Sequence, residues 1–138
     1  MSQNIVVWET ISGTVLGEVE QAHYMAITDL DVSQEADLIV TSSKDSKVKV
    51  WSISTILSDE SKEPLVEFSH TSEVVKVMFS KHDSSRIFTA SIDKSFKVFD
   101  VPSKICLKTI ITPSPISNFA IDSSESNYYI SCENQNIY

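Results

Sequence analysis

One pattern recurs along this 138-residue chain every forty to fifty positions, and that recurrence restricts the fold more than any other feature. From His23, apolar residues stand four, seven and nine places on, at Ile27, Leu30 and Val32. From His70 the same offsets hold Val74, Val77 and Phe79, and from Thr112 they hold Ile116, Phe119 and Ile121. A second block follows each triplet: Leu38-Ile39-Val40-Thr41-Ser42-Ser43-Lys44-Asp45, then Arg86-Ile87-Phe88-Thr89-Ala90-Ser91-Ile92-Asp93, then the weaker Asn127-Tyr128-Tyr129-Ile130-Ser131-Cys132-Glu133-Asn134. A third block alternates: Val48-Lys49-Val50-Trp51, Phe96-Lys97-Val98-Phe99, and the stub Ile137-Tyr138; the opening Ile5-Val6-Val7-Trp8 is another copy of it.

These runs are short, rich in β-branched and aromatic residues, and bounded by Ser, Asp, Asn and Lys. That is the pattern of strands, not helices. It predicts an all-β chain of about thirteen strands in antiparallel four-stranded units, with the nine triplet residues mostly buried. With two glycines in all, tight turns are expected to lean on Asp and Asn, which tolerate a left-handed backbone. The polar stretch Ser58-Asp59-Glu60-Ser61-Lys62-Glu63 reads as a loop, and His82 as a solvated turn residue.

A period near 40–45 residues that closes on a Trp resembles the WD repeat of β-propeller proteins. The residues that carry the resemblance are Ala22-His23, Ser43-x-Asp45 and Val48-Lys49-Val50-Trp51, then His70, Ser91-x-Asp93 and Val98-Phe99-Asp100. It implies three to four blades of an incomplete ring: residues 1–20 as the outer two strands of one blade, 21–69 and 70–111 as complete blades, and 112–138 as an incomplete one. It also implies a hydrogen-bonded tetrad in each blade, here His23, Ser43, Asp45 and Trp51. The second blade keeps His70, Ser91 and Asp93 with Phe99 in the Trp place. The third has Thr112, Cys132 and Asn134, so no tetrad is expected there. Because Phe99 has already removed one partner, Asp45→Ala is expected to destabilise more than Asp93→Ala.

Histidines that repeat at the blade period are what a structural role requires and what a single active site does not. No Gly-rich phosphate loop, zinc spacing or Gly-x-Ser-x-Gly elbow is present, so no enzyme, cofactor or metal is expected. A net charge of −8, with eleven scattered basic residues, argues against sequence-specific or general nucleic-acid binding. No apolar run approaches the ~20 residues that cross a bilayer. Met1-Ser2-Gln3-Asn4 has the character of no secretory signal, and Cys106 and Cys132 fit no metal or redox spacing, so free thiols in a reducing compartment are expected.

The WD-repeat resemblance implies protein binding, through residues just after each tetrad His and just before each tetrad Asp: Tyr24, Ala26 and Lys44, then Thr71, Glu73 and Ile92. Trp8-Glu9, Ala22-His23-Tyr24-Met25-Ala26-Ile27-Thr28, Lys44-Asp45-Ser46-Lys47-Val48 and Thr112-Pro113-Ser114-Pro115-Ile116 are similar to one WD-repeat subfamily. It belongs to the eukaryotic pre-ribosome complex that works with the AAA ATPase midasin. That resemblance implies nuclear work in large-ribosomal-subunit maturation and rRNA processing, with other subunits of the complex as partners; a role in replication licensing has been proposed for the subfamily. A module of a ubiquitin-ligase receptor or transport coat is the alternative. The two incomplete ends are complementary, so a chain of this extent is expected to be a fragment or to close head to tail with a second copy.

Overall fold

The computed structural model describes residues 3–133 and contains twelve strands among them. In chain order these are β1 (Ile5–Trp8), β2 (Val15–Val19), β3 (Ile27–Val32), β4 (Leu38–Ser43), β5 (Lys47–Ser52), β6 (Val66–Ser69), β7 (Val74–Phe79), β8 (Arg86–Ser91), β9 (Ser95–Asp100), β10 (Ile105–Ile111), β11 (Ile116–Ile121) and β12 (Tyr128–Cys132). One short helix, α1 (Ile53–Leu57), interrupts them after β5. All pairs are antiparallel, in four sheets: β1–β2, β3–β4–β5–β6, β7–β8–β9–β10 and β11–β12. This is an all-β, incomplete propeller; the stub Ile137-Tyr138 and Asn134 lie outside the described residues.

A β-bulge explains the odd offsets in the repeat. Strict alternation would put apolar residues at even separations, yet the step from the first to the second is three. In β3, β7 and β11 the register shifts between Ile27 and Asp29, Val74 and Lys76, and Ile116 and Asn118, always just after the first apolar position. The extra residue turns the strand over and returns the next two apolar residues to the same face.

That face presses on the sheet before it. Val74, Val77 and Phe79 join Ile87 and Phe99 in one cluster with Val40, Val48, Val50, Val66 and Phe68 of the preceding sheet. Ile116 and Phe119 join Ile130 and Cys132 with Phe88, Ala90, Phe96 and Val98. Full burial of side chains of this size is worth ~1.5–3 kcal/mol each, which makes these seams the main source of cohesion.

The first triplet departs from the expected burial. Leu30 and Val32 are each 43% exposed, against 1% for Val77 and 3% for Phe79, and they open on a cleft of about 570 Å³. The cause is the neighbour. The sheet in front of β3 consists, among the described residues, only of β1 and β2, which match the third and fourth strands of the complete sheets, so nothing lies over its inner half.

Polar contacts also stitch the seams. Asp29 and Asp31 on β3 accept the Val77 and Phe79 N–H groups of β7, at 3.2 and 2.8 Å. Lys76 Nζ donates to the Phe119 carbonyl at 2.9 Å. Glu125 accepts from Ser80 Oγ and Lys81 N, and the exposed His82 is tied to its neighbour as well, Nε2 lying 2.6 Å from the Ser123 carbonyl. In the turns after β4 and β8 the left-handed residues are Ser46 (φ 71) and Lys94 (φ 72), not Asp45 and Asp93 before them. Asp45 and Asp93 instead accept the backbone N–H two residues on, from Lys47 and Ser95, each at 2.8 Å.

Candidate functional site

Each complete sheet is organised around a buried histidine four residues ahead of its inner strand. His23 Nδ1 lies 2.9 Å from Asp45 Oδ2, and its Nε2 lies 2.7 Å from Thr41 Oγ1. Trp51 Nε1 donates to the same Thr41 oxygen at 3.1 Å. Nδ1 faces a carboxylate and so carries the proton; Nε2 then accepts the Thr41 hydroxyl hydrogen, which frees the Thr41 oxygen for the indole. Every polar atom along the line has a partner, as burial requires.

The hydroxyl in this network belongs to Thr41, not Ser43. Two residues apart on one strand, both point to the same face, but Thr41 lies at mid-sheet, paired with Lys49. Ser43, at the strand end, does a different job: its Oγ donates to the Ala26 carbonyl at 2.9 Å and accepts the Asp45 N–H at 3.1 Å. The second sheet repeats the correction. His70 Nε2 meets Thr89 Oγ1 at 2.7 Å, while Ser91 Oγ donates to the Glu73 carbonyl at 2.7 Å and accepts the Asp93 N–H at 3.0 Å. Phe99, in the Trp place, meets the His70 ring edge-on with centroids 6.3 Å apart.

Burial lowers the pKa of both His23 and His70, outweighing the pull of Asp45 and Asp93, so both imidazoles are neutral. For the carboxylates burial acts the other way and is overcome. Asp45 stays below the usual range because the Lys47 N–H, His23 and the Tyr24 N–H hold its charge. Asp93 is lowered further, to about 2, by the Ser95 hydroxyl, the Thr71 N–H and His70. His70 Nδ1 lies 3.0 Å from both Asp93 Oδ2 and Ser95 Oγ. The contacts therefore favour the opposite order of the two aspartates, with Asp93 the more heavily bonded. The missing indole belongs at the threonine end of the network, while Asp93 has gained a hydroxyl partner at the other end.

These networks hold loops at one end of each sheet. Asp45 Oδ2 accepts the Tyr24 N–H at 3.0 Å, the Gln3 amide donates to the Tyr24 carbonyl at 2.9 Å, and the Tyr24 side chain is 89% exposed. Ala26 is half-buried and its carbonyl accepts the Lys44 N–H, which leaves the Lys44 side chain in solvent. In the second sheet Asp93 accepts the Thr71 N–H at 3.0 Å, and the Glu73 carbonyl accepts the Ile92 N–H at 3.1 Å. Thr71 is exposed; Glu73 and Ile92 are half-buried. The six expected binding residues thus form two sets of three at equivalent places on neighbouring sheets. Sequence reasoning passed over Gln3, Gln21 and Lys49, which with His23 and Tyr24 line a cleft of about 400 Å³. Nothing in the repeat marks the glutamines, because they reach this loop from outside the His-to-Trp pattern.

The family described as WD domain, G-beta repeat matches residues 13–52 and 62–100. The chain belongs to the WD-repeat family. Its sheets are accordingly blades, with β3–β6 the first complete blade and β7–β10 the second. The chain is 32% identical over 142 residues to the pre-rRNA-processing protein IPI3 of Yarrowia lipolytica, covering 99% of this chain and 33% of that protein. It is 31% identical over 144 residues to the pre-rRNA-processing protein crb3/ipi3 of Schizosaccharomyces pombe, covering 94% of this chain and 31% of that protein. It is 35% identical over 112 residues to the ribosome biogenesis protein WDR12 homolog of Dictyostelium discoideum, covering 80% and 23%. The WD-repeat chain spans about a third of the length of the first two relatives.

Proposed function

We propose that this WD-repeat chain is a non-catalytic interaction scaffold in large-ribosomal-subunit assembly and rRNA processing, working in the nucleus. The relatives named for pre-rRNA processing and ribosome biogenesis support the setting. The observation that carries the binding role is Tyr24. Its backbone is pinned at both the N–H and the carbonyl, while its ring is almost wholly in solvent. An aromatic ring on an already ordered backbone binds with little further ordering cost, which is the character of an interface hot spot. Thr71, at the equivalent place on the second blade, presents only a small hydroxyl. The partners are other proteins of the pre-ribosomal assembly complex.

The test measures association with pre-ribosomal particles by sedimentation and binding to their purified assembly subunits. Tyr24→Ala should weaken binding by ~30-fold or more, the scale of a hot spot, with an unchanged melting temperature. Undiminished binding by Tyr24→Ala would remove this face from the function. The two-stranded sheets β1–β2 and β11–β12 are proposed to be completed by strands from outside the described residues, from further sequence or from a second copy. Light scattering on the 15.4 kDa chain separates these, since a stable monomer rules out the second copy.

A further inference from the structure

We infer that residues 53–63 form a strap on the outer rim that controls how well ordered the Tyr24 loop is. The inference rests on Tyr24 being the partner anchor and adds what governs it. In the second blade, β9 passes to β10 through a tight turn, with the Lys104 N–H on the Asp100 carbonyl at 3.0 Å. In the first blade the same connection carries α1 and a polar loop, and the WD-repeat match leaves out residues 53–61. A five-residue helix does not stand alone in water, and the Ser52 side chain makes no capping bond at its N-terminus. Tertiary contact holds it.

That contact is with β2. Ile56 is buried with Ile5, Val19, Ala22, Ile39 and Trp51. At Gly17 a Cβ would lie 2.5 Å from the Ile56 carbonyl oxygen, so the helix backbone lies directly on the strand. Past the helix, Lys62 Nζ donates to the Glu18 carbonyl at 2.6 Å. The strap thus grips β2 at two successive residues.

The hairpin it grips also holds the anchor loop. The Gln3 carbonyl accepts the Ala22 N–H at 2.8 Å, Asn4 Oδ1 accepts the Gln21 N–H at 2.9 Å, and the Gln3 side chain reaches the Tyr24 carbonyl. Ala22 sits in the same buried cluster as Ile56. Among the described residues β1 and β2 pair only with each other, so their position against the first blade depends on this cluster, on the strap and on the loop bonds just named. The loop at residues 70–73 of the second blade is held instead by Asp93 of its own blade and serves as the internal control.

Hydrogen exchange followed by mass spectrometry on the full chain tests this. Lys62→Met should speed exchange across residues 15–24 about fivefold, the scale of one lost hydrogen bond, while residues 70–80 stay unchanged. Gly17→Ala should have a larger effect on the same segment. If Gly17→Ala does not fold, Lys62→Met decides. Unchanged exchange at residues 15–24 in Lys62→Met, or an equal rise in both segments, overturns the inference. Because exchange is read on the free protein, its failure leaves the Tyr24 binding test standing, and the reverse holds too.

Discussion

The two complete blades are built on one plan and finished with different parts. The first ends its network in an indole, with Trp51 on Thr41; the second ends it in Phe99 and adds Ser95 at the aspartate. The sheets in front of them differ to match. Val48 pairs with Phe68 as Ile5 pairs with Val19, so Phe68 and Val19 hold equivalent places. The larger Trp51 shares its cluster with Val19, while Phe99 stacks on Phe68 with centroids 4.2 Å apart. Bulk removed on one side of a seam is restored on the other, which is how a close-packed interior tolerates a changed residue. A repeat position is therefore held by its neighbours on both sides, and a missing donor in one blade need not weaken it.

Five measurements would break or sharpen that contrast. The largest effects are expected at the aspartates. Asp93→Ala should lose about 3 kcal/mol in urea unfolding and Asp45→Ala about 2, because Asp93 leaves more stranded donors. The opposite order would restore the indole as the decisive partner. Repacking comes next: Phe99→Trp should lose ~2 kcal/mol by overpacking, and most of that should return when it is combined with Phe68→Val. Simple additivity of the two changes would deny the exchange of bulk across the seam.

The threonines separate the blades more finely. Thr41→Val strands both the Trp51 indole and His23 Nε2, whereas Thr89→Val strands only His70 Nε2, so the first should cost about 1 kcal/mol more. Acid should then weaken both blades. His23 and His70 have pKa values lowered by burial below the unfolded 6.5, so their contribution is complete above pH 6.5 and is lost as pH falls below it. Asp93, lowered from 3.8 to about 2, contributes above 3.8 and loses that contribution as pH falls towards 2. Urea midpoints should fall across both windows, and Asp93→Asn should flatten the lower one. The smallest effect is a gain. Ser46→Gly and Lys94→Gly should each stabilise by ~0.5–1 kcal/mol, since both positions hold a left-handed backbone that suits glycine.

The stacking of blades is legible in the triplets, because a thrice-repeated offset identifies one face of one strand. The exposure of Leu30 and Val32 is not legible, since burial belongs to what lies opposite as much as to the residue. The choice between Thr41 and Ser43 is hidden for a related reason: both are hydroxyls on one face, and only the depth of each along the strand assigns its partner. Helix α1 escapes notice because Ile53-Ser54-Thr55-Ile56-Leu57 is short and rich in β-branched residues, and forms only where Gly17 lets it approach. Tyr24, the proposed anchor, is legible from its place after His23, but the glutamines that frame it are not.

The carboxylates of Asp29 and Asp31 have a consequence for how such a chain survives its own synthesis. An inner strand presents a row of free amides to any extended segment that passes, the opening move of aggregation. Two of those amides on β7 are already occupied by side chains from the blade translated before it. As the second complete blade emerges it finds a stopper waiting on the first, so those amides are silenced in the order of translation, before later blades are made.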